Sequence, residues 1–298
     1  MTWDDFFVRL AARPVSRATQ RSYEQAWRLF LRQWPELTGP RDIDEQHLSE
    51  FHRQQRTSPR ISASTAGQRL RCLLTTLRWA RRQGHLLWDP GESLSVPKPR
   101  WNIGPLLSVK EVQRLLLAPL NCHRIGMRYR DRALLELLYA TGMRAGEVAA
   151  LDLGDLDLAR GELSIRAGKG RPRRMPLLGA AVAALQRYLN EARPALALEG
   201  ETAVFVSFRG KRLTAQSLGC QVRLHAEKLG LRGVTPHVLR RSLATHLLEN
   251  GASVREIQAV LGHADLASTQ TYARVLPVEL AREHRRTHPR AYRRKEAR

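Results

Sequence analysis

The chain has 298 residues, enough for two domains that each bury a core, and 43% of them are hydrophobic, which suits a folded protein. Its 50 lysines and arginines exceed 28 aspartates and glutamates to leave a charge of +22, and 44 of the 50 are arginine. Permanently charged guanidinium forks match phosphate oxygens, so the expected partner is a polyanion, nucleic acid ahead of an acidic membrane; a ribosomal-type or merely soluble basic protein also fits the charge alone.

Three separated cysteines, Cys72, Cys122 and Cys220, form neither a disulfide framework nor a paired metal spacing, and a reducing cytoplasm is expected. The N-terminus carries acidic residues where a signal peptide would be basic, and no apolar run approaches membrane-spanning length. A soluble, intracellular protein without metal or cofactor is the expectation.

Residues 1–98 read as helices, with apolar positions at helical spacing in Tyr23, Trp27, Phe30 and Leu31 and again in Leu70, Leu73, Leu74 and Leu77. The second stripe is flanked by Arg69, Arg71, Arg78, Arg81 and Arg82, which form either a solvated basic face or a DNA-facing one. From Gly91 to Pro105, prolines at 97, 99 and 105 resist helix and strand alike, and the linker is placed at 99–105.

Beyond it, in 106–298, helical patterns run over Val109–Leu117, Asp131–Ala140, Ala180–Asn190 and Ala215–Leu229. Between them Glu162–Arg166 and Arg173–Leu177 read as two strands of a hairpin. Thr235 before Pro236 is a good helix start and Asn250-Gly251 a good stop; Ser253 and Glu256 then make a capping box that opens a helix ending at Gly262. The tail after Arg282 is arginine-rich.

Three stretches carry polar residues that surface decoration explains poorly. In YATGMRAGEVAAL, Arg144 and Glu147 share one face of a new helix, which allows a carboxylate to orient a guanidinium, although such a pair is more often structural. In GKGRPRRMPL, Lys169 lies between two glycines at a hairpin turn, where most lysines are simply solvated. In the stretch from Thr235, His237 and Arg240 lie three apart near a helix N-terminus, His263 follows the glycine ending the next helix, and Tyr272 comes nine residues later.

Singly these residues are ordinary; together they are what phosphodiester transfer requires. Attack at phosphorus builds charge on non-bridging oxygens, which fixed guanidinium donors can receive. A phenol can attack if its proton is drawn off, and a lysine of lowered pKa can protonate the departing sugar oxygen.

The ordered set Arg144, Lys169, His237, Arg240, His263 and Tyr272 resembles that of the tyrosine recombinases of the phage integrase family, and within them the bacterial Xer branch. The phrases TGMRAGE, TPHVLR, LGHADLASTQTYARV and THPRA are similar to that family too. The resemblance implies a mainly α fold with a small β-sheet, in two domains: an N-terminal helical core-binding (SAM-like) domain over 1–98 and an α+β catalytic domain over 106–298 with a basic tail. Arg144, Arg240 and His263 would bind the scissile phosphate, His237 would assist proton transfer, Lys169 would protonate the leaving 5′-hydroxyl, and Glu147 would support the first arginine. Tyr272 would carry a 3′-phosphotyrosyl intermediate. Two departures from the pattern are Arg241 in place of a second histidine and Met143 in place of leucine.

The resemblance further implies double-stranded recombination sites as substrate and a tetramer on DNA, made of one protein or of this chain with a paralogue, with a DNA translocase or accessory protein as a further partner. Dimer resolution of chromosomes or plasmids is the expected role. Integration or excision of a mobile element, nicking-closing of the type IB topoisomerase kind, and DNA binding without turnover are the alternatives.

Overall fold

The structure is a computed structural model and describes residues 1–96, 105–166, 172–262 and 286–289. It divides into two compact units, Met1–Asn102 and Ile103–Arg298. The linker expected at 99–105 lies, Pro105 apart, outside the described residues.

Among the described residues the first unit holds four helices, α1 (Trp3–Ala11), α2 (Arg17–Leu31), α3 (Glu45–Thr57) and α4 (Ala63–Arg82). Each starts where a short oxygen-bearing side chain accepts an otherwise orphaned backbone N–H: Thr2, Ser16, Asp44 and Ser62 are the four caps. Both expected stripes turn inward, for Tyr23, Trp27, Phe30, Leu70, Leu73, Leu74 and Leu77 are buried, while Leu31 is half-buried against the same core. Trp27 packs edge-on against Phe6 and Phe30. Its indole N–H donates to Thr76 Oγ1 at 2.9 Å, so the one polar atom of this buried ring is satisfied across α2 and α4.

The second unit comprises α5 (Val109–Leu117), α6 (Ile125–Thr141), α7 (Ala145–Ala149), strands β1 (Leu156–Asp157), β2 (Glu162–Ile165) and β3 (Arg173–Pro176), then α8 (Gly179–Glu191), α9 (Arg193–Leu196), α10 (Ala215–Glu227), α11 (Pro236–Glu249) and α12 (Val254–Leu261). The sheet is antiparallel in the order β1-β2-β3, with Leu163 opposite Met175 and Ile165 opposite Arg173. The hairpin is therefore present with strands one residue shorter than expected, and β1 joins it through the pair Leu156 and Leu163.

Helix α6 is the axis of this unit, buried at every position from Ala133 to Thr141. It starts six residues earlier than its apolar pattern predicts, because Arg130 and Asp131 are buried charges that break the hydrophobic period. They neutralise each other: Arg130 Nε donates to Asp131 Oδ1 at 2.8 Å, and Asp131 Oδ2 lies 2.9 Å from His225 Nε2 on α10. At its other end α6 stops at Gly142, whose φ of 61° is left-handed. A Cβ there would lie 2.6 Å from Leu261 Cδ2 and 3.0 Å from Leu243 Cδ2, so α11 and α12 approach this turn as only glycine permits.

The caps read from sequence form. Thr235 accepts from the Val238 N–H, Ser253 and Glu256 make their capping box, and Gly262 closes α12 in the left-handed region.

Candidate active site

Arg144 does not ride on a helical face with Glu147, as its spacing suggests; it is the residue that precedes α7, and its backbone N–H donates to Glu147 Oε2 at 2.9 Å. The Glu147 side chain is 1% exposed, so it must be paired. Its principal partner is Arg173 on β3, whose two terminal nitrogens each donate to a different carboxylate oxygen at 3.2 Å. The Arg144 guanidinium makes a single contact at 3.4 Å and remains more than a third exposed. Burial opposes ionisation of Glu147, but hydrogen bonds from Arg173 and the Arg144 backbone, together with both positive charges, hold its carboxyl below the ordinary range.

Arg240 enters from the first turns of α11 and is 4% exposed. One terminal nitrogen donates to the Gly142 carbonyl at 2.5 Å and the other to the Leu261 carbonyl at 2.7 Å, so this guanidinium ties the turn after α6 to the end of α12. Its pKa is pushed down to about 10, mainly by burial and then by the charge of Arg144, which Glu147 partly offsets and Arg173 reinforces. It stays cationic at neutral pH. His237, one turn earlier, is exposed, and its pKa is lowered by partial desolvation and by the charges of Arg240, Arg241 and Arg144. The imidazole is thus kept neutral, able to accept a proton.

Arg144, Arg173 and Arg240 bring three positive charges to one place against the single carboxylate of Glu147. Like charges held together repel until an anion joins them, so the arrangement suits a phosphate diester better than it suits a neutral ligand.

A model of the phage integrase family matches residues 106–278. The chain belongs to this family, the tyrosine recombinases. Among its relatives, tyrosine recombinase XerC 2 of Ralstonia nicotianae is 39% identical over 95% of this chain and 84% of its own length. Tyrosine recombinase XerD of Lacticaseibacillus casei is 34% identical over 93% of this chain and 94% of its own. A lambda integrase tetramer bound to a Holliday junction has the same fold, with a TM-score of 0.70 at 19% identity, covering 90% of this chain and 75% of that one. The family read from the ordered residues is the family found.

Of the six residues expected to carry out the recombinase chemistry, the structure gathers Arg144 and Arg240 with His237 at the entrance of α11, and adds Glu147 beside them. Lys169, His263 and Tyr272 lie outside the described residues. The two departures are placed: Met143 is fully buried under the turn, and Arg241 adds a fixed charge beside His237.

Arg173 is the site residue that sequence reasoning missed. A signal for it existed, because β3 alternates: Met175 points into the core, Arg173 lies two residues away on the same face, and Arg174 faces out.

On α4 the basic residues divide. Arg78 pairs with Asp89 at 3.5 Å, Arg81 with Glu92 at 2.9 Å, and Arg69 donates to Gln55. Arg71 makes a long contact with Gln68, and the exposed Arg82 has no ion pair among the described residues. Near the C-terminus, His288 is buried and its Nε2 lies 3.1 Å from the Tyr139 carbonyl on α6, while Asn250 donates to the Thr287 carbonyl at 2.7 Å. The start of the THPRA segment therefore packs on its own catalytic unit.

Proposed function

We propose that this recombinase cleaves and rejoins duplex DNA at specific sites with Tyr272 as nucleophile, and that its role is the resolution of chromosome or plasmid dimers. The phenol oxygen attacks the scissile phosphorus as its proton passes to neutral His237, and the bond to the 5′-oxygen breaks. Lys169 protonates that oxygen. Arg144, Arg240 and His263 hold the non-bridging oxygens through the change in charge, and Glu147 supports Arg144. The 3′-phosphotyrosyl bond conserves the energy of the phosphodiester, so attack by a 5′-hydroxyl of another strand completes exchange without ATP.

The observation that carries this reading is the cation cluster with its one carboxylate, in which Arg240 is locked by two main-chain carbonyls before any substrate arrives. Residues 1–98, a helical unit with exposed cations such as Arg82, serve as the core-binding half that grips the duplex together with 106–298. The tetrameric lambda integrase on its Holliday junction supports an assembly of four subunits on DNA, of one chain or with a paralogue, governed by a translocase or accessory protein in the cytoplasm. Integration of a mobile element is the second reading, favoured by neighbours such as the Tn1549 transposon integrase bound to circular intermediate DNA.

The test uses a duplex identified by footprinting on genomic DNA and nicked close to the cleavage position, so that the released fragment diffuses away. The wild type should give a protein–DNA adduct that survives denaturant, and Tyr272→Phe should give none. An equal yield from the phenylalanine variant would remove Tyr272 as nucleophile. A product joined between two such sites, rather than relaxation of plasmids lacking them, separates recombination from nicking-closing.

A further inference from the structure

The recombinase reading leaves Arg173 without a task, yet it is the principal partner of the one carboxylate in the cluster. Its side chain is 13% exposed, both terminal nitrogens are committed to the two oxygens of Glu147, and its Nε–H is buried with no partner among the described residues. The planar group lies against the end of α12 so closely that a Cβ on Gly262 would come within 2.7 Å of Arg173 Cζ. Gly262 directly precedes His263 in the sequence, and β3 begins four residues after Lys169. One side chain thus touches the carboxylate beside Arg144 and the chain entering His263.

Glu147 sits between two arginines and has one negative charge. If Arg173 did not neutralise it, the only other guanidinium within bonding reach among the described residues, that of Arg144 at 3.4 Å, would be drawn into a fork on the same carboxylate. An arginine so engaged has fewer donors to offer a phosphate.

Resting on the recombinase reading, we infer that Arg173 is a positioning residue for strand cleavage: it occupies Glu147 and thereby keeps the Arg144 guanidinium available to the scissile phosphate. Glu147 then acts as an anchor for the Arg144 backbone, through its 2.9 Å bond, without capturing the Arg144 side chain.

A merely structural ion pair and a positioning pair differ in how the two substitutions combine. Arg173→Ala should slow adduct formation on the nicked footprinted duplex about 100-fold, the effect of a misplacement of roughly 1 Å at a reacting centre, while retention of that duplex changes less than about threefold. Adding Glu147→Gln removes the charge that misdirects Arg144, so the double variant should cleave about tenfold faster than Arg173→Ala alone. Arg173→Lys keeps the charge and stem but cannot fork; it should melt within a few degrees of the wild type and cleave about tenfold more slowly, and it is read instead if the alanine variant does not fold.

The inference is overturned if Arg173→Ala or Arg173→Lys cleaves at the wild-type rate, if cleavage and DNA retention fall together, or if the double variant is no faster than the single. Those results leave a wild type that still forms its adduct, and the recombinase reading intact. Absence of adduct from the wild type itself would overturn both.

Discussion

Arg240 and His237, one turn apart on α11, show how one electropositive environment gives two side chains different tasks. Arg240 is buried and fixed to two carbonyls, so its cost of ordering is met when the protein folds and not when DNA binds. Arg240→Ala should therefore suppress cleavage by about 100-fold or more, the effect of removing one preorganised donor, while duplex binding falls far less because many other cations hold the backbone. Gel retention and adduct yield on one nicked duplex measure the two effects, and equal losses would contradict the assignment. The pKa of His237 is pushed in the same direction, but with the opposite result for its charge. Desolvation and three nearby guanidinium charges put its folded pKa below the ordinary 6.5, so it is neutral, and competent as a base, throughout the neutral range. Cleavage should therefore decline on the acid side with a midpoint below 6.5. That acid limb should be missing in His237→Gln; its persistence there would assign it to another group.

At the scale of elements, the site depends on how helices end. The left-handed Gly142 turn lets α11 and α12 close over the end of α6 and presents the carbonyl that Arg240 uses. Gly142→Ala adds a left-handed strain of about 1–2 kcal/mol and overpacking of about 1–3 kcal/mol against Leu261 and Leu243. Thermal or urea unfolding should show a loss of about 2–5 kcal/mol, with cleavage reduced beyond what that loss explains; a neutral substitution would show that the turn relaxes freely. Much of this was legible in the sequence, because caps and stops are local: Thr235, Ser253 with Glu256, and Gly262 signal their elements within four residues. The start of α6 was not, since Arg130 and Asp131 are buried only because a partner 94 residues away, His225, accepts the burden of Asp131. Arg173 was hidden for the same reason. Its partner lies 26 residues earlier, and although the alternation of β3 sets it apart from Arg174, nothing local shows that a carboxylate waits for it.

For the whole molecule the governing quantity is charge. Acids are largely engaged internally or along helices, as in Arg53 with Glu50 and Arg187 with Glu191, so the +22 surplus is carried by cations left over. Duplex binding should lose about a thousandfold or more between roughly 50 and 200 mM salt, and a shallow slope in a titration would refute the phosphate reading of the charge. The bonds of Arg240 also set an order in time. Its guanidinium needs a carbonyl 98 residues before it and another 21 residues after it, and the candidate nucleophile Tyr272 comes later still. Domains emerge from the ribosome N-terminal part first. A half-made chain therefore already carries phosphate-attracting charge while it still lacks both the completed clamp and the candidate nucleophile, so cutting has to wait for the finished chain.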